Sequence, residues 1–377
     1  MGSMNKKIAV FIDWFRPGYK AGGPITSCAN MVDLLKEDFH FYIFTKDRDY
    51  MEDEPYDQVA SNEWINYSKN CEVMYLSAEK LARKFMKNEF DKLDVHVVYI
   101  NGMFSKHFSI WPMKFAGPKN VIVAPRGMLR PSALAIKSFK KSVYLILSRV
   151  RGTYKNVVFQ ATTDDEKKDI EAQKLGGEVQ VAHNSPKSIP EIKANSKKKD
   201  LLRICFAGRI AKEKNLLFAL KILKEMSSNK IELNIAGEKY DEDYWKECDE
   251  AIQEMPNGIK VNVLGSLSPD RFSKELEKAD VMFLPTRGEN FGHVVHESLA
   301  CGTPVIISDQ TPWRGLSRAK AGFDLALQDK KAFREAINKF WKMGSDEYQE
   351  WIACARKFAS ERMDTEKLRT EYIRLFE

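Results

Sequence analysis

Two glutamates eight positions apart are the residues of this chain best placed to do chemistry. Glu289 lies in a loop between the apolar runs Val281–Leu284 and Val305–Ser308, and Glu297 lies in His293–Ala300, which has helical apolar spacing. The segment therefore predicts a strand, a loop, a helix and a second strand. Open α/β sheets bind ligands beyond the carboxyl ends of their strands, so both carboxylates are expected at one site. Carboxylates at two depths suit a ligand with hydroxyl groups at both ends, such as a sugar nucleotide.

The chain also offers positive charge for an anion. The apolar run Arg203–Gly208 leads into Arg209 and Lys214, and a helix is predicted from Asn215, a favourable N-cap residue. Two cations at the carboxyl end of a strand can neutralise a diphosphate, most strongly when it leaves with extra negative charge. Alone, the cations are equally compatible with ordinary surface charge, and the glutamates alone would favour an ordinary structural role. Their occurrence together in one predicted domain favours a binding site.

The segment from Pro285 to Pro304 closely resembles the donor-binding signature of retaining glycosyltransferases of family 4, which have two Rossmann-like domains. The resemblance implies that Glu289 contacts the donor sugar and Glu297 holds the nucleotide ribose. It further implies that Arg209 and Lys214 hold the donor diphosphate. The residues after Glu289 are expected to line the donor site too, and these are Asn290, Phe291, Gly292 and His293.

Apolar runs alternate with helical patterns along the whole chain, which predicts an α/β protein with parallel sheets and crossover helices. The predicted strands are Lys7–Ile12, His40–Phe44, Glu72–Tyr75, Val95–Ile100, Asn120–Ala124, Val157–Ala161 and Glu178–Ala182, then Arg203–Ala207, Glu232–Ala236, Ile259–Leu264, Val281–Leu284 and Val305–Ser308. We expect two Rossmann-like domains facing across a cleft, the GT-B arrangement.

The domain bounds follow from composition and from the resemblance. Residues 1–185 are expected to form an acceptor-binding Rossmann-like domain, and 186–200, rich in Ser, Pro and Lys, a linker. Residues 201–358 are expected to bind the nucleotide sugar. The resemblance implies that a last helix, in 359–377, packs back onto the first domain.

The amino-terminal half contributes further candidates. Gly23 lies in a Gly-Gly-Pro turn where backbone can approach a ligand closely, and the resemblance implies that this turn covers the donor phosphates. Many relatives have histidines where this chain has Tyr99 and Asn101. Asn101 cannot act as a base, but it can orient an acceptor hydroxyl while the departing phosphate oxygen takes the proton. Arg126 lies in Pro125–Leu129, which resembles a segment of family members that build capsule, O-antigen and exopolysaccharide units. Asn101 and Arg126 are therefore expected to bind the acceptor.

Positive charge is concentrated in one stretch of the chain. Residues 101–163 contain eleven Lys or Arg and no Asp or Glu, although the net charge of the whole chain is only +7. The predicted helix Ser132–Arg149 mixes apolar and basic residues as membrane-surface helices do. A packed helix with a solvated basic face is the alternative. We expect contact with an anionic membrane, and a cytoplasmic protein held at the inner face of the plasma membrane. Scattered cysteines without paired spacing fit reduced thiols.

These features predict a retaining glycosyltransferase that moves a hexose or N-acetylhexosamine from a nucleotide diphosphate sugar, a UDP-sugar as first choice, to a lipid-linked or glycan acceptor. Its expected catalytic residues are Glu289, Arg209, Lys214 and Asn101. No metal and no other cofactor is expected, and no nucleic acid partner. Two alternatives stay open: a non-catalytic protein that binds anionic membranes or nucleic acid, and a glycoside hydrolase or phosphorylase, which also uses two carboxylates.

Overall fold

The structure is a computed structural model that describes residues 6–117, 119–135, 138–185, 197–198, 200–226, 229–289, 291–362 and 364–377. The chain divides into two compact units. Unit 1 comprises Met1–Ser185 and Thr365–Glu377, and unit 2 comprises Pro186–Asp364. Most of the predicted linker, and Asn290 of the predicted donor site, lie outside the described residues.

Each unit is built on one sheet. The strands of unit 1 are β1 Lys6–Ile12, β2 Phe39–Lys46, β3 Trp64–Ser68, β4 Cys71–Leu76, β5 Val97–Asn101, β6 Asn120–Ala124, β7 Val157–Ala161 and β8 Glu178–Val181; those of unit 2 are β9 Leu202–Ala207, β10 Ile231–Ala236, β11 Ile259–Gly265, β12 Val281–Leu284, β13 Val305–Ser308 and β14 Gly322–Leu325. The spatial orders are β3-β4-β2-β1-β5-β6-β7-β8 and β11-β10-β9-β12-β13-β14. All described strand pairs are parallel except β3 with β4.

Helices connect these strands. They are α1 Gly23–Leu35, α2 Arg83–Asp91, α3 Trp111–Phe115, α4 Pro131–Ala135, α5 Ser138–Val150, α6 Asp164–Ala172, α7 Leu216–Lys224, α8 Glu242–Gln253, α9 Pro269–Lys278, α10 His293–Ala300, α11 Lys330–Lys342, α12 Ser345–Glu361 and α13 Thr365–Phe376, with a π-helical turn at Lys106–Ile110 before α3. Among the described residues, no helix combines the length and apolarity that crossing a bilayer requires.

Two predicted features needed correction. Two strands were missed: β3 is a partly exposed edge strand with polar residues, and β14 is short and begins at a glycine, so neither has the apolar run that marks a buried strand. Asn215 does precede α7, but in a left-handed conformation (φ 62°) and without the expected side-chain cap. Its Nδ2 donates instead to the Pro285 carbonyl at 3.0 Å.

Strand β1 shows why both faces of the first sheet are covered. Its side chains alternate in direction, so Ile8, Val10 and Ile12 join one apolar cluster while Ala9 and Phe11 join another. The first of these clusters also contains side chains of α1 and of the carboxyl-terminal helix α13.

Helix α13 completes the core of unit 1, although it comes last in the chain. The ring of Phe376 lies 5.4 Å from that of Phe39 and 5.7 Å from that of Tyr99. Arg369 Nε donates to Asp38 Oδ2 at 2.9 Å. The expectation that the last helix returns to the first domain is thus met in the structure, and the order of β4, β2, β1, β5 and β6 is that of a Rossmann-like sheet.

Candidate active site

The charged residues predicted from the sequence lie at the switch point of the second sheet. Strand β9 pairs with β10 on one side and with β12 on the other. From β9 the chain continues toward one edge of the sheet through β10 and β11, and from β12 it continues toward the other edge through β13 and β14. The loops after β9 and β12 therefore diverge at the carboxyl edge, the position where sheets of this order bind ligands. The β9 loop carries Arg209 and Lys214, and the β12 loop carries Glu289.

A close backbone contact shapes the β9 loop. Gly237, which follows β10, has φ 158°, and a Cβ there would lie 1.9 Å from the Gly208 carbonyl oxygen, so no other residue fits without displacing the β9 loop. Beyond Gly208 the Arg209 guanidinium lies over the Tyr240 ring, 4.9 Å from its centroid. Arg209 is exposed, and no carboxylate of the described residues forms a salt bridge with it. Its charge is therefore available to an anion.

Hydrogen bonds join the β9 and β12 loops. The Glu213 carbonyl accepts from the Arg287 amide at 2.7 Å and from Thr286 Oγ1 at 3.0 Å. Asn215 adds its bond to the Pro285 carbonyl. The left-handed backbone at Asn215 directs its side chain toward this acceptor. The two loops consequently hold their charged side chains in a fixed relation to each other.

Lys214 and Glu289 form an ion pair across these loops, with Lys214 Nζ donating to Glu289 Oε1. Both side chains are largely buried, at 19% and 10% exposure. Water screens such a pair less than it screens a surface pair. The structure therefore brings together Lys214, which is predicted to bind the diphosphate, and Glu289, which is predicted to contact the donor sugar. Each side chain neutralises the charge of the other.

The start of α10 is held by a tryptophan. Gly292 precedes the helix with φ 78°, a conformation that favours glycine, and Trp313 Nε1 donates to the Phe291 carbonyl at 2.6 Å. The Glu289 amide donates to the Gln310 carbonyl at 3.1 Å. The first amides of any α-helix lack intrahelical acceptors, so the start of α10 can present donors to a ligand.

The remaining predicted donor residues lie on α10 or beside it. The helix begins at His293, as predicted, and the His293 ring is 4.7 Å from that of Phe291. Glu297 is half-buried one turn into the helix. The glutamate pair thus has the loop-and-helix placement that its spacing indicated.

His296, on the same helix, is a buried histidine without hydrogen-bond partners at either ring nitrogen among the described residues. The rings of Phe291 and Trp313 surround it at 6.4 and 6.0 Å. Burial disfavours the charged imidazolium and lowers its pKa to about 4. His296 is therefore a neutral packing residue of the helix that presents Glu297.

Asn101 and Arg126 occur together at the switch point of the first sheet, where β1 and β5 are neighbours. Asn101 ends β5, and its Oδ1 accepts from Arg126 Nε at 3.0 Å. Arg126 also donates to the Tyr99 hydroxyl at 2.6 Å and to Asn184 Oδ1. All three guanidinium nitrogens thus have partners within unit 1, which makes Arg126 part of the internal structure. Its predicted contact with an acceptor stays a prediction.

In the glycine turn before α1, the residue with the left-handed backbone is Gly22 and not the predicted Gly23. Gly22 has φ 73°, whereas Gly23 is the first residue of α1, and a Cβ at Gly22 would meet no atom within 4 Å. A ligand-facing role of Gly23 stays a prediction.

A polar cluster that the sequence patterns do not indicate lies at the end of β1. Asp13 Oδ1 accepts from Ser105 Oγ at 2.9 Å and lies 3.4 Å from Lys46 Nζ, which lies 4.3 Å from the centroid of the Trp14 ring. The available signal was position alone: Asp13 directly follows β1, and Ser105 comes shortly after β5. Trp313, which donates to the Phe291 carbonyl, is a further residue that holds the segment after Glu289.

Solved structures of other proteins share this fold. Sucrose-phosphate synthase of Thermosynechococcus elongatus is similar with a TM-score of 0.73 and 16% identity, covering 98% of each chain. HepE of Anabaena, solved in complex with UDP-glucose, is similar with a TM-score of 0.68 and 14% identity, again covering 98% of each chain. The chain therefore has the GT-B fold, with two Rossmann-like α/β domains.

A match to a protein family falls in the second unit. Residues 187–358 match the family described as glycosyl transferases group 1. An uncharacterised 41.2 kDa protein in the cps region of Klebsiella pneumoniae is 23% identical over 255 residues, which cover 64% of this chain and 66% of that protein. The second unit is therefore similar to glycosyl transferases group 1 over residues 187–358.

Proposed function

We propose that the protein is a retaining glycosyltransferase that transfers a hexose or N-acetylhexosamine from a UDP-sugar to a lipid-linked or glycan acceptor. The observation that carries this proposal is the placement of Arg209, Lys214 and Glu289 on two joined loops at one switch point. A simple hydrolase would have no use for a pair of cations there. A binding protein without catalytic activity would not require Glu289 beside them.

The proposed chemistry divides charge among these residues. Arg209 and Lys214 bind the diphosphate and stabilise the negative charge that develops as the bond from the anomeric carbon to the phosphate oxygen breaks. Glu289 exchanges its bond to Lys214 for the sugar hydroxyls, and Glu297 holds the ribose. The acceptor oxygen bonds to the anomeric carbon on the face that the nucleotide leaves. The departing phosphate oxygen takes the acceptor proton, and Asn101 orients the acceptor. Side-chain cations replace a metal in this scheme.

Surface polysaccharide biosynthesis is the proposed setting. Its support is the similar protein in the cps region, together with the Pro125–Leu129 segment of this chain. The UDP-glucose complex of HepE supports the choice of donor. A lipid-linked acceptor would place the reaction at the inner face of the plasma membrane.

Donor turnover tests the proposal. With each of a panel of UDP- and GDP-sugars, release of the nucleotide in the presence of membrane extract is measured for the wild type, Lys214→Ala and Glu289→Ala. Both variants should lose about a hundredfold in rate, because each removes a charge that faces the reacting groups.

Lys212→Ala is the matched control, since Lys212 is an exposed cation of the same loop. It should keep the wild-type rate. Unchanged turnover in both site variants would reject the assignment, and sugar release without any nucleotide donor would favour a hydrolase or phosphorylase.

A further inference from the structure

Helix α5 carries a stripe of large apolar side chains that face away from the protein. They are Phe139, Val143, Ile146, Leu147 and Val150, with exposures of 80%, 40%, 54%, 44% and 80%. On a helix with about 3.6 residues per turn these positions fall within about 100° of arc. Single exposed apolar residues are common, but a continuous stripe marks an interaction surface.

The opposite face of α5 is already used. Leu145 and Ser148 are buried, and the Tyr144 hydroxyl lies 2.6 Å from that of Tyr154. The ring of Tyr144 also lies 5.7 Å from that of Phe104. The helix is thus anchored in unit 1 by one face, so the apolar stripe cannot turn inward.

Positive charge borders the stripe. Lys140 and Arg149 fall on its two sides, at about 100° per residue around the helix, and Arg151 follows its end; all three are exposed. Residues 101–163 include no Asp or Glu, so the stretch that contains α5 brings no acidic residue to the stripe.

We propose that this stripe, Phe139 to Val150, inserts into the headgroup region of an anionic lipid bilayer and holds unit 1 at the membrane surface. Apolar residues on one face, with cations at its borders, match a surface with an apolar interior and acidic headgroups. The proposal rests on the proposed function, because membrane attachment would bring the enzyme to a lipid-linked acceptor.

Charge distinguishes a bilayer from a second copy of the chain. A two-fold dimer through α5 would place the same stripe, with the same Lys140 and Arg149, against itself. Those like charges would meet without any acidic residue of the 101–163 stretch to compensate them. Acidic lipid headgroups supply the missing negative charge.

Vesicle binding by the full chain tests the proposal. Co-sedimentation is measured with phosphatidylcholine vesicles, with and without about one third phosphatidylglycerol, at low and high salt. Wild-type protein should bind the anionic vesicles, and more weakly as salt rises. The variant F139S/I146S/V150S should lose about tenfold or more in partitioning, because it removes the inserted side chains. K140Q/R151Q should weaken binding and reduce its salt dependence.

V263S/L264S is the matched control, since these apolar residues are also exposed, at 41% and 36%, but lie on β11 of unit 2. It should bind vesicles like the wild type. Equal vesicle binding by F139S/I146S/V150S would overturn the proposal. So would a wild-type dimer in solution that this variant abolishes, because a second copy would then cover the stripe.

Two measurements separate this proposal from the proposed function. Thermal stabilisation by UDP should be unchanged in F139S/I146S/V150S, which also shows that the variant is folded. Lys214→Ala should lose that stabilisation and still bind vesicles. Loss of one property with the other intact identifies which of the two proposals has failed.

Discussion

The two sheets of this protein reach the same kind of switch point but equip it differently. In unit 2, Arg209 is exposed on the β9 loop, and the largely buried Lys214 forms an ion pair with one carboxylate, that of Glu289. In unit 1, Arg126 and Asn101 are bound into a network with Tyr99. The positive charge in unit 2 is available to a ligand, whereas the positive charge in unit 1 is engaged by the fold.

This difference separates recognition of an anion from support of a structure. A diphosphate requires cations that can change partners at little cost, and two loops that can hold them without burying them completely. A half-buried guanidinium with three partners instead holds together the groups around it, because each of them would lose its donor if the guanidinium moved. Two arginines at equivalent edges can therefore have opposite roles.

The largest expected effect comes from removing the arginine of unit 1. Arg126→Ala should lower the free energy of unfolding by about 3 kcal/mol, because buried acceptors on Tyr99, Asn101 and Asn184 lose a charged donor. Thermal melting measures this loss. Amide exchange in α13 should accelerate as well, since Gln160 Nε2 links the same network to the Tyr372 hydroxyl at 3.1 Å.

Arg151→Ala, at an exposed position, is the control for Arg126→Ala and should melt like the wild type. If Arg126→Ala kept full stability and lost only affinity for the acceptor, the contrast between the two arginines would be wrong. Arg126 would then be a ligand-binding residue.

Acid should destabilise the protein through His296 by about 2 kcal/mol between pH 7 and pH 5. The folded protein lowers the pKa of this ring from 6.5 to about 4, so its contribution is fully present above the unfolded pKa. This contribution is lost as pH falls from 6.5 through 4, because the unfolded chain binds a proton at this ring more tightly than the folded protein does. Melting of the wild type and of His296→Leu at several pH values measures the difference.

The leucine variant should be at least as stable at pH 8, because the His296 ring has no hydrogen bond to lose among the described residues. An identical acid dependence of wild type and variant would show that the folded protein takes up a proton on His296 as readily as the unfolded chain does. His296 would then need a partner that the described residues do not supply.

Arg209→Ala should weaken binding of UDP about tenfold and leave the melting temperature unchanged. A charge-assisted bond to a phosphate is lost, but the exposed side chain supports little of the fold. Calorimetric titration at low salt measures the affinity, and the loss should shrink at high salt as screening increases. Lys212→Ala should titrate like the wild type. A large loss of stability in Arg209→Ala would remove the distinction from Arg126.

Much of this architecture could be predicted from local patterns, and the exceptions have identifiable causes. Buried parallel strands such as β12 and β13 are continuous apolar runs, so they were recognised, whereas β3 and β14 were not. The GT-B fold was correctly expected. Pairing between distant residues was invisible, because nothing near Lys214 in the sequence indicates that Glu289 will neutralise it.

The amphipathic helix shows the same limit. The sequence of α5 indicates which residues are apolar, but not that Leu145 is buried while Ile146 faces outward. That assignment depends on the side of the helix that meets Tyr154, a contact set by the tertiary fold. Local sequence thus predicts the element and its charge, and the fold decides which face is free.

The smallest expected effect tests whether the Lys214–Glu289 pair is a resting state of the donor site. Glu289→Gln removes the negative charge but keeps the shape, so Lys214 no longer has to leave a carboxylate when a diphosphate arrives. We expect UDP, which has no sugar for Glu289 to contact, to bind about threefold more tightly, since a ligand's affinity rises when the competing state is destabilised. Calorimetric titration of UDP measures this gain. The double variant Glu289→Gln/Lys214→Ala should abolish it, because the gain acts through Lys214. Weaker binding of UDP to Glu289→Gln would mean that the carboxylate positions Lys214 for the phosphate and does not compete with it.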